Sequence, residues 1–215
     1  MVKQERAERT RQAVLLAAAD TFARVGFEAA SLVDISRRAG VSKGALYFHF
    51  VSKRALADGV RAAAGRMVGS AALRALRAEG PAVQGLIDFS HELARLLRED
   101  VVVRAGVRLG APCPRPTATA LHGAPDGSEA PPAEAAWRGL TAVVHRLLDR
   151  AAEAGELRPG TDRRACAELL GSVMAGQVLL AADQAGRPTA EAVRRLWTAA
   201  LPALVPAERC PGHRV

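Results

Sequence analysis

Between Ser31 and Lys53 the chain reads SLVDISRRAGVSKGALYFHFVSK, with hydroxyls at Ser31 and Ser42, cations at Lys43 and Lys53, and Tyr47 and His49 between them. These side chains donate hydrogen bonds to phosphate oxygens. A lysine at the start of a helix is also suited to guanine O6 and N7. Gly44 has no side chain, so the backbone beside Lys43 can approach a groove closely. The chemistry is recognition of a polyanion with readable edges, which is double-stranded DNA.

Two short helices must hold these groups. Ser31 and Asp34 fit a capping box, the hydroxyl and the carboxylate satisfying free N–H groups at a helix start. Ile35 and Ala39 lie four apart on one face, with Arg37 and Arg38 outside it. Gly40 stands where a left-handed residue stops the helix. Val41 plugs the turn, and Ser42 caps a second helix. Its inward residues are expected to be Ala45, Leu46 and Phe48, leaving Lys43, Gly44, Tyr47 and His49 outward. A solvated turn on an ordinary helical protein is the alternative for this spacing taken alone.

The string GVSKGALYFHF resembles the tetracycline-repressor family, through Gly40, Val41, Ser42, Gly44, Leu46, Tyr47, His49, Phe50 and Lys53. The upstream helix resembles it too, through Thr10, Arg11, Val14, Leu15, Ala18, Phe22, Gly26 and Phe27. The resemblance covers about the first 60 residues. It implies an all-α protein with an N-terminal three-helix DNA-binding domain over 1–52. A larger helical effector-binding and dimerisation domain follows over 53–205, then a tail over 206–215. The expected DNA contacts are Thr10, Arg11, Ser31, Ser42, Lys43, Gly44, Tyr47, His49 and Lys53. Of these, Lys43 reads base edges, Ser42, Tyr47, His49 and Lys53 hold phosphates, and Thr10 and Arg11 add backbone contacts.

Composition agrees with a polyanionic partner. The 215 residues carry a net charge of +8, and 49% are apolar, ample for a core. Residues 1–60 hold ten Lys/Arg against six Asp/Glu, so half of the excess lies elsewhere. No apolar run is read as reaching the 18 or so residues that cross a bilayer, and the charged N-terminus has no signal-like apolar stretch behind it. A cytoplasmic protein is expected. Cys113, Cys166 and Cys210 suggest neither a disulfide framework nor a metal site and read as free thiols. His91 and Glu92 resemble a zinc-protease start, but Arg95 stands where the second His must be. With no nucleophile, phosphate loop or metal set, an enzyme is not expected, nor a cofactor.

Past Lys53, Ala55, Leu56, Val60, Ala63 and Met67 give the stripe of a connecting helix interrupted by Gly59, Gly65 and Gly69. Pro81 starts the next, with Leu86, Phe89, Leu93, Leu96 and Leu97 inward and His91, Arg95 and Arg98 outward. A short helix over Val101 to Leu109 precedes a Pro/Ala/Gly-rich stretch, about 110–132, expected to be a mobile loop. Helical spacing resumes from Trp137 to Ala154. Thr161 or Asp162 starts a helix that is apolar nearly all round, and a last one repeats Val193, Leu196, Trp197, Ala200 and Leu201. Two such terminal helices have few partners within one chain, so a homodimer seam is expected from Leu169, Val173, Leu180, Val193, Leu196, Trp197 and Ala200. Burial inside a monomer is the alternative. A dimer reads a palindromic operator in major grooves about 34 Å apart.

VRAGVRLG from Val103 to Gly110, the Pro-rich stretch and AAWRGL around Trp137 resemble the γ-butyrolactone autoregulator receptors. That resemblance implies a small-molecule effector in a pocket covered by Trp137 and lined by Phe89, Val107, Val173 and Gln177, with Ser172 or Gln177 supplying the polar anchor that Val173 lacks. It also implies a repressor of antibiotic or secondary-metabolite genes. The basic charge is similar to that of the pseudo-receptors of this group, which answer to antibiotics or biosynthetic intermediates. An effector-independent DNA-binding protein is the remaining alternative.

Overall fold

The computed structural model describes residues 2–110, 132–181 and 188–215, with the side chains of 2, 3 and 132–138 left out. Among the described residues there are helices and no strands. They are α1 (Val2–Ala29), α2 (Leu32–Arg38), α3 (Lys43–His49), α4 (Lys53–Arg77), α5 (Ala82–Glu99), α6 (Val101–Gly110), α7 (Pro132–Glu153), α8 (Arg163–Ala181) and α9 (Ala190–Leu204), followed by a 3₁₀ turn, Ala207–Gly212. The expected loop over about 110–132, with Cys113, lies almost wholly outside the described residues. Cys166 and Cys210 are free thiols.

Two apolar cores form. The first joins Val14, Leu15, Ala18 and Phe22 of α1, Ile35 of α2, Leu46 of α3, Phe50, and Leu56, Ala57 and Val60 of α4. Gly40, at φ +67°, ends α2 and turns the chain into α3, and the Ser42 hydroxyl accepts from the Ala45 N–H at 3.1 Å. Ser31 is the N-cap residue of α2, but its hydroxyl caps nothing. The expected capping box is not made, because Asp34 is drawn to Arg37 at 2.8 Å instead. A second correction concerns Phe48, which is 82% exposed. α3 ends at His49, and the extended backbone of Phe50 (φ −140°, ψ 105°) turns that ring inward, where Phe50 fills the place expected of Phe48.

The second core gathers the C-terminal half of α4 and helices α5 to α9. α4 runs unbroken through both cores despite its three glycines. At Gly59 an added Cβ would come to 3.0 Å from the Phe50 ring, so this glycine is where α4 accepts the first core. α6 also serves both, giving Val102 and Ala105 to the first core and Val103 to the second. α5 is capped from far away in sequence. The Glu156 carboxylate accepts from the N–H groups of Ala82 and Val83 at 2.8 and 2.9 Å, satisfying donors that Pro81 cannot.

α9 requires a third correction. Val193 and Trp197 are wholly buried within the monomer, so they cannot form a seam with a second copy. The Trp197 indole N–H donates to the Ser90 hydroxyl at 2.6 Å, and Ser90 donates to the Ile87 carbonyl at 2.7 Å. Leu196 and Ala200 are half-buried, Ala200 against the same core. The stripe faces α5 because an aromatic ring with a polar N–H needs both a cavity and an acceptor, and α5 supplies both.

Among the described residues α8 is the one helix long and apolar enough to cross a membrane by length and composition alone, a test that the core helix of a soluble protein also passes. Its apolar residues divide between two faces. Ala167, Leu170, Gly171 and Met174 are buried, while Leu169, Leu179 and Leu180 are 65%, 58% and 60% exposed. The residues after 206 are not a loose tail. The 3₁₀ turn leads to Arg214, whose N–H donates to Gln84 Oε1 at 2.9 Å while Gln84 Nε2 donates to the Arg214 carbonyl at 3.1 Å.

Candidate nucleic-acid interface

α3 is seven residues long and is anchored by one fully buried side chain, Leu46. With the inward direction set by Leu46, the remaining positions face solvent: Ser42, Lys43, Gly44, Tyr47 and Phe48 are exposed. Lys43 Nζ lies 5.9 Å from the centre of the Tyr47 ring. The two side chains therefore share one side of the helix, as an i, i+4 pair does. Nothing around Gly44 blocks a close approach, the nearest foreign atom to an added Cβ being Ser42 Oγ at 3.9 Å.

The flanking cations are already engaged. Arg37 pairs with Asp34 within α2, and Arg38 reaches Asp20 of α1 at 2.9 Å, tying α2 to α1. Arg11 lies 5.4 Å over the Phe50 ring and 3.7 Å from Glu8. Thr10 donates to the Arg6 carbonyl at 2.9 Å, within its own helix.

Lys53 opens α4, and its side chain is already engaged. Its ammonium donates to the carbonyls of Glu28 and Ala30 at 3.1 and 3.2 Å and lies 4.7 Å over the Phe27 ring. It clamps the end of α1, where carbonyls lack partners and the helix dipole is negative. α1 is kinked there at Gly26, which has φ +79°. From the other side Arg108 of α6 donates to the Ala23 carbonyl at 2.7 Å. The end of α1 is thus held by one cation from α4 and one from α6.

The structure brings Ser42, Lys43, Gly44 and Tyr47 together on one face. His49 is half-buried beside Phe48, edge to face, with ring centres 5.2 Å apart. Ser31, Thr10, Arg11 and Lys53 stand half-buried at the margins. Phe48 is the residue that reasoning from sequence missed. The signal was available, because two residues from Leu46 is a rotation of about 200°, the opposite side of the helix.

In the second core, Phe89 is 1% exposed, and Val107 is half-buried against the same cluster. Gln177 of α8 has its Oε1 buried without a hydrogen-bond partner. Val173 is half-buried on the same helix. Trp137 falls within α7, but its side chain lies outside the described residues. A separate surface groove of about 400 Å³ follows α4, lined by Ser70, Leu73, Arg74, Arg77 and Ala78, and includes none of these residues.

Residues 14–60 match the model for "Bacterial regulatory proteins, tetR family". The chain is 32% identical over 205 residues to the A-factor receptor protein of Streptomyces griseus, covering 95% of this chain and 67% of that protein. The crystal structure of a γ-butyrolactone receptor (ArpA-like protein) superposes with a TM-score of 0.69 at 25% identity, covering 95% of this chain and 91% of the other. CprB from Streptomyces coelicolor, in complex with its biological operator sequence, gives 0.70 at 26% identity, over 96% and 94% of the two chains.

Proposed function

Because the chain belongs to the tetR family of bacterial regulatory proteins and to its γ-butyrolactone receptor group, we propose that it is a homodimeric repressor. It binds a palindromic operator and is released by a small molecule, controlling antibiotic or secondary-metabolite genes in the cytoplasm. One observation carries the DNA-binding reading: a capped seven-residue helix, pinned by Leu46, leaves Lys43, Gly44 and Tyr47 exposed on its outer face. The operator complex of CprB supports it.

Lys43 offers its ammonium to guanine O6 or N7, and Ser42 and Tyr47 hold phosphates. In the bound state Lys53 positions the reading domain through its hold on α1 and contributes its charge to the adjacent phosphates. Leu169, Val173 and Leu180 form the seam with a second copy. They recur along one stripe of α8, and the leucines at its ends are largely exposed in the monomer.

The effector is held by Phe89, Val107, Val173 and Gln177, and Trp137 of α7 is the residue expected to cover it. The unpartnered Gln177 Oε1 supports a ligand with a hydrogen-bond donor, since a buried acceptor without a partner costs free energy that a ligand can recover. A ligand seated there acts on α6 and α4, which pass into the first core. It changes the distance between the two reading helices only by its differential affinity for the two spacings. A preference of about 3 kcal/mol lowers operator affinity by roughly two orders of magnitude.

The net charge of +8 favours a second reading, a pseudo-receptor released by antibiotics or their intermediates. Fluorescence anisotropy on the palindromic DNA upstream of the protein's own gene tests both. Release by γ-butyrolactones supports the receptor, and release by antibiotics alone supports the pseudo-receptor. Tight binding indifferent to both refutes the effector site. Lys43→Ala is expected to relax sequence preference, and equal loss on all sequences refutes its base-reading role.

A further inference from the structure

Among the described residues, the two large apolar side chains most open to solvent are Phe48, at 82%, and Val51, at 80%. Both stand where α3 ends and the chain turns toward α4. The other strongly exposed apolar cluster is the leucine face of α8. The Phe48 ring is left outside while its neighbours Leu46 and Phe50 are 0% and 5% exposed.

Phe48 has no donor or acceptor, so it gains nothing from phosphate oxygens or the polar edges of bases. Among the described residues its one ring neighbour is His49, edge to face, and at 82% exposure the side chain is otherwise open. In the major groove the apolar group on offer is the C5-methyl of thymine. We infer that Phe48 reads a thymine in each operator half-site, laying its ring against that methyl beside the base contact of Lys43. This inference rests on the DNA-binding reading of α3 and adds to it a base preference that hydrogen bonding alone does not supply.

The experiment uses the full chain. Double-stranded DNA is selected from a random pool, and each thymine of the enriched palindrome is replaced in turn by deoxyuridine, which lacks only the 5-methyl. Dissociation constants are measured for the wild-type protein and for Phe48→Ala. Because Phe48 is not in the core, this variant is expected to match the wild type in helicity and melting. Deoxyuridine at one symmetry-related thymine is expected to weaken wild-type binding about fourfold per half-site, the value of one buried methyl group. Phe48→Ala is expected to show no penalty there. The inference is overturned if no thymine is sensitive, if Phe48→Ala keeps the same penalty, or if the enriched half-site contains no thymine. Failure to enrich any sequence instead overturns the DNA-binding reading itself, and Phe48 with it.

Discussion

Gly106→Ala tests the crossing of α4 and α6, the contact through which the second core reaches the reading domain. An added Cβ at Gly106 would fall under 3.0 Å from the Ala64 Cβ. Carbon atoms pack at about 3.5 Å or more, so α6 must move off α4 by more than about 0.5 Å. Overfilling a packed contact costs about 1–3 kcal/mol, and the better helix propensity of Ala over Gly returns about 1 kcal/mol. A net loss of about 1 kcal/mol lowers Tm by about 2–4 °C in a chain of this size.

Ala64→Gly removes the methyl that the new one would strike, at its own propensity cost of about 1 kcal/mol. The double variant should therefore be more stable than the sum of the singles by about 1–3 kcal/mol. Urea unfolding of the four proteins at one protomer concentration, with unchanged m-values, measures this coupling. Operator affinity should fall in Gly106→Ala and recover in the double variant. Stabilities that add within about 0.5 kcal/mol refute the close crossing, and unchanged operator affinity in Gly106→Ala refutes its role in the switch.

Further predictions concern the seam and the core. Leu180→Glu puts a charge on the exposed face of α8 and should yield folded monomers in sedimentation. Trp197→Phe leaves the Ser90 hydroxyl without its indole partner and should cost about 1–3 kcal/mol of unfolding free energy while sedimenting as a dimer. The opposite pattern would return α9 to the seam. For pH, the Arg95 guanidinium beside Glu92, aided by Arg74 of α4, holds the Glu92 carboxyl below its usual value of 4.5 against the opposing effect of burial. A carboxyl with a lowered folded pKa contributes stability in full above 4.5, and that contribution disappears as pH falls through the lowered value. The stability difference between wild type and Glu92→Gln should therefore be greatest near neutral pH and shrink in acid, whereas a constant difference excludes the ion pair as its source.

The parts of the molecule made by near neighbours along the chain were legible in the order of its residues. Ser42 caps a helix whose third residue is Ala45, Gly40 takes the left-handed turn, and Leu46 anchors α3. Each rests on groups within about four residues, where helical geometry leaves few alternatives. The stripe of α5 was legible for the same reason, since Leu86, Phe89, Leu93, Leu96 and Leu97 are all buried. Tertiary structure decided which of several competent partners each group takes. Lys53 took the end of α1 and Glu156 capped a helix 74 residues away, whereas Asp34 left the helix start for a local competitor, Arg37, three residues on. Phe50 took the core place of Phe48 because α3 stops one residue earlier. An apolar stripe states only that water must be excluded, not by what. Trp197 is covered by α5 of its own chain, whereas Leu169 and Leu180 are left uncovered, and that difference arises only when the helices are packed together.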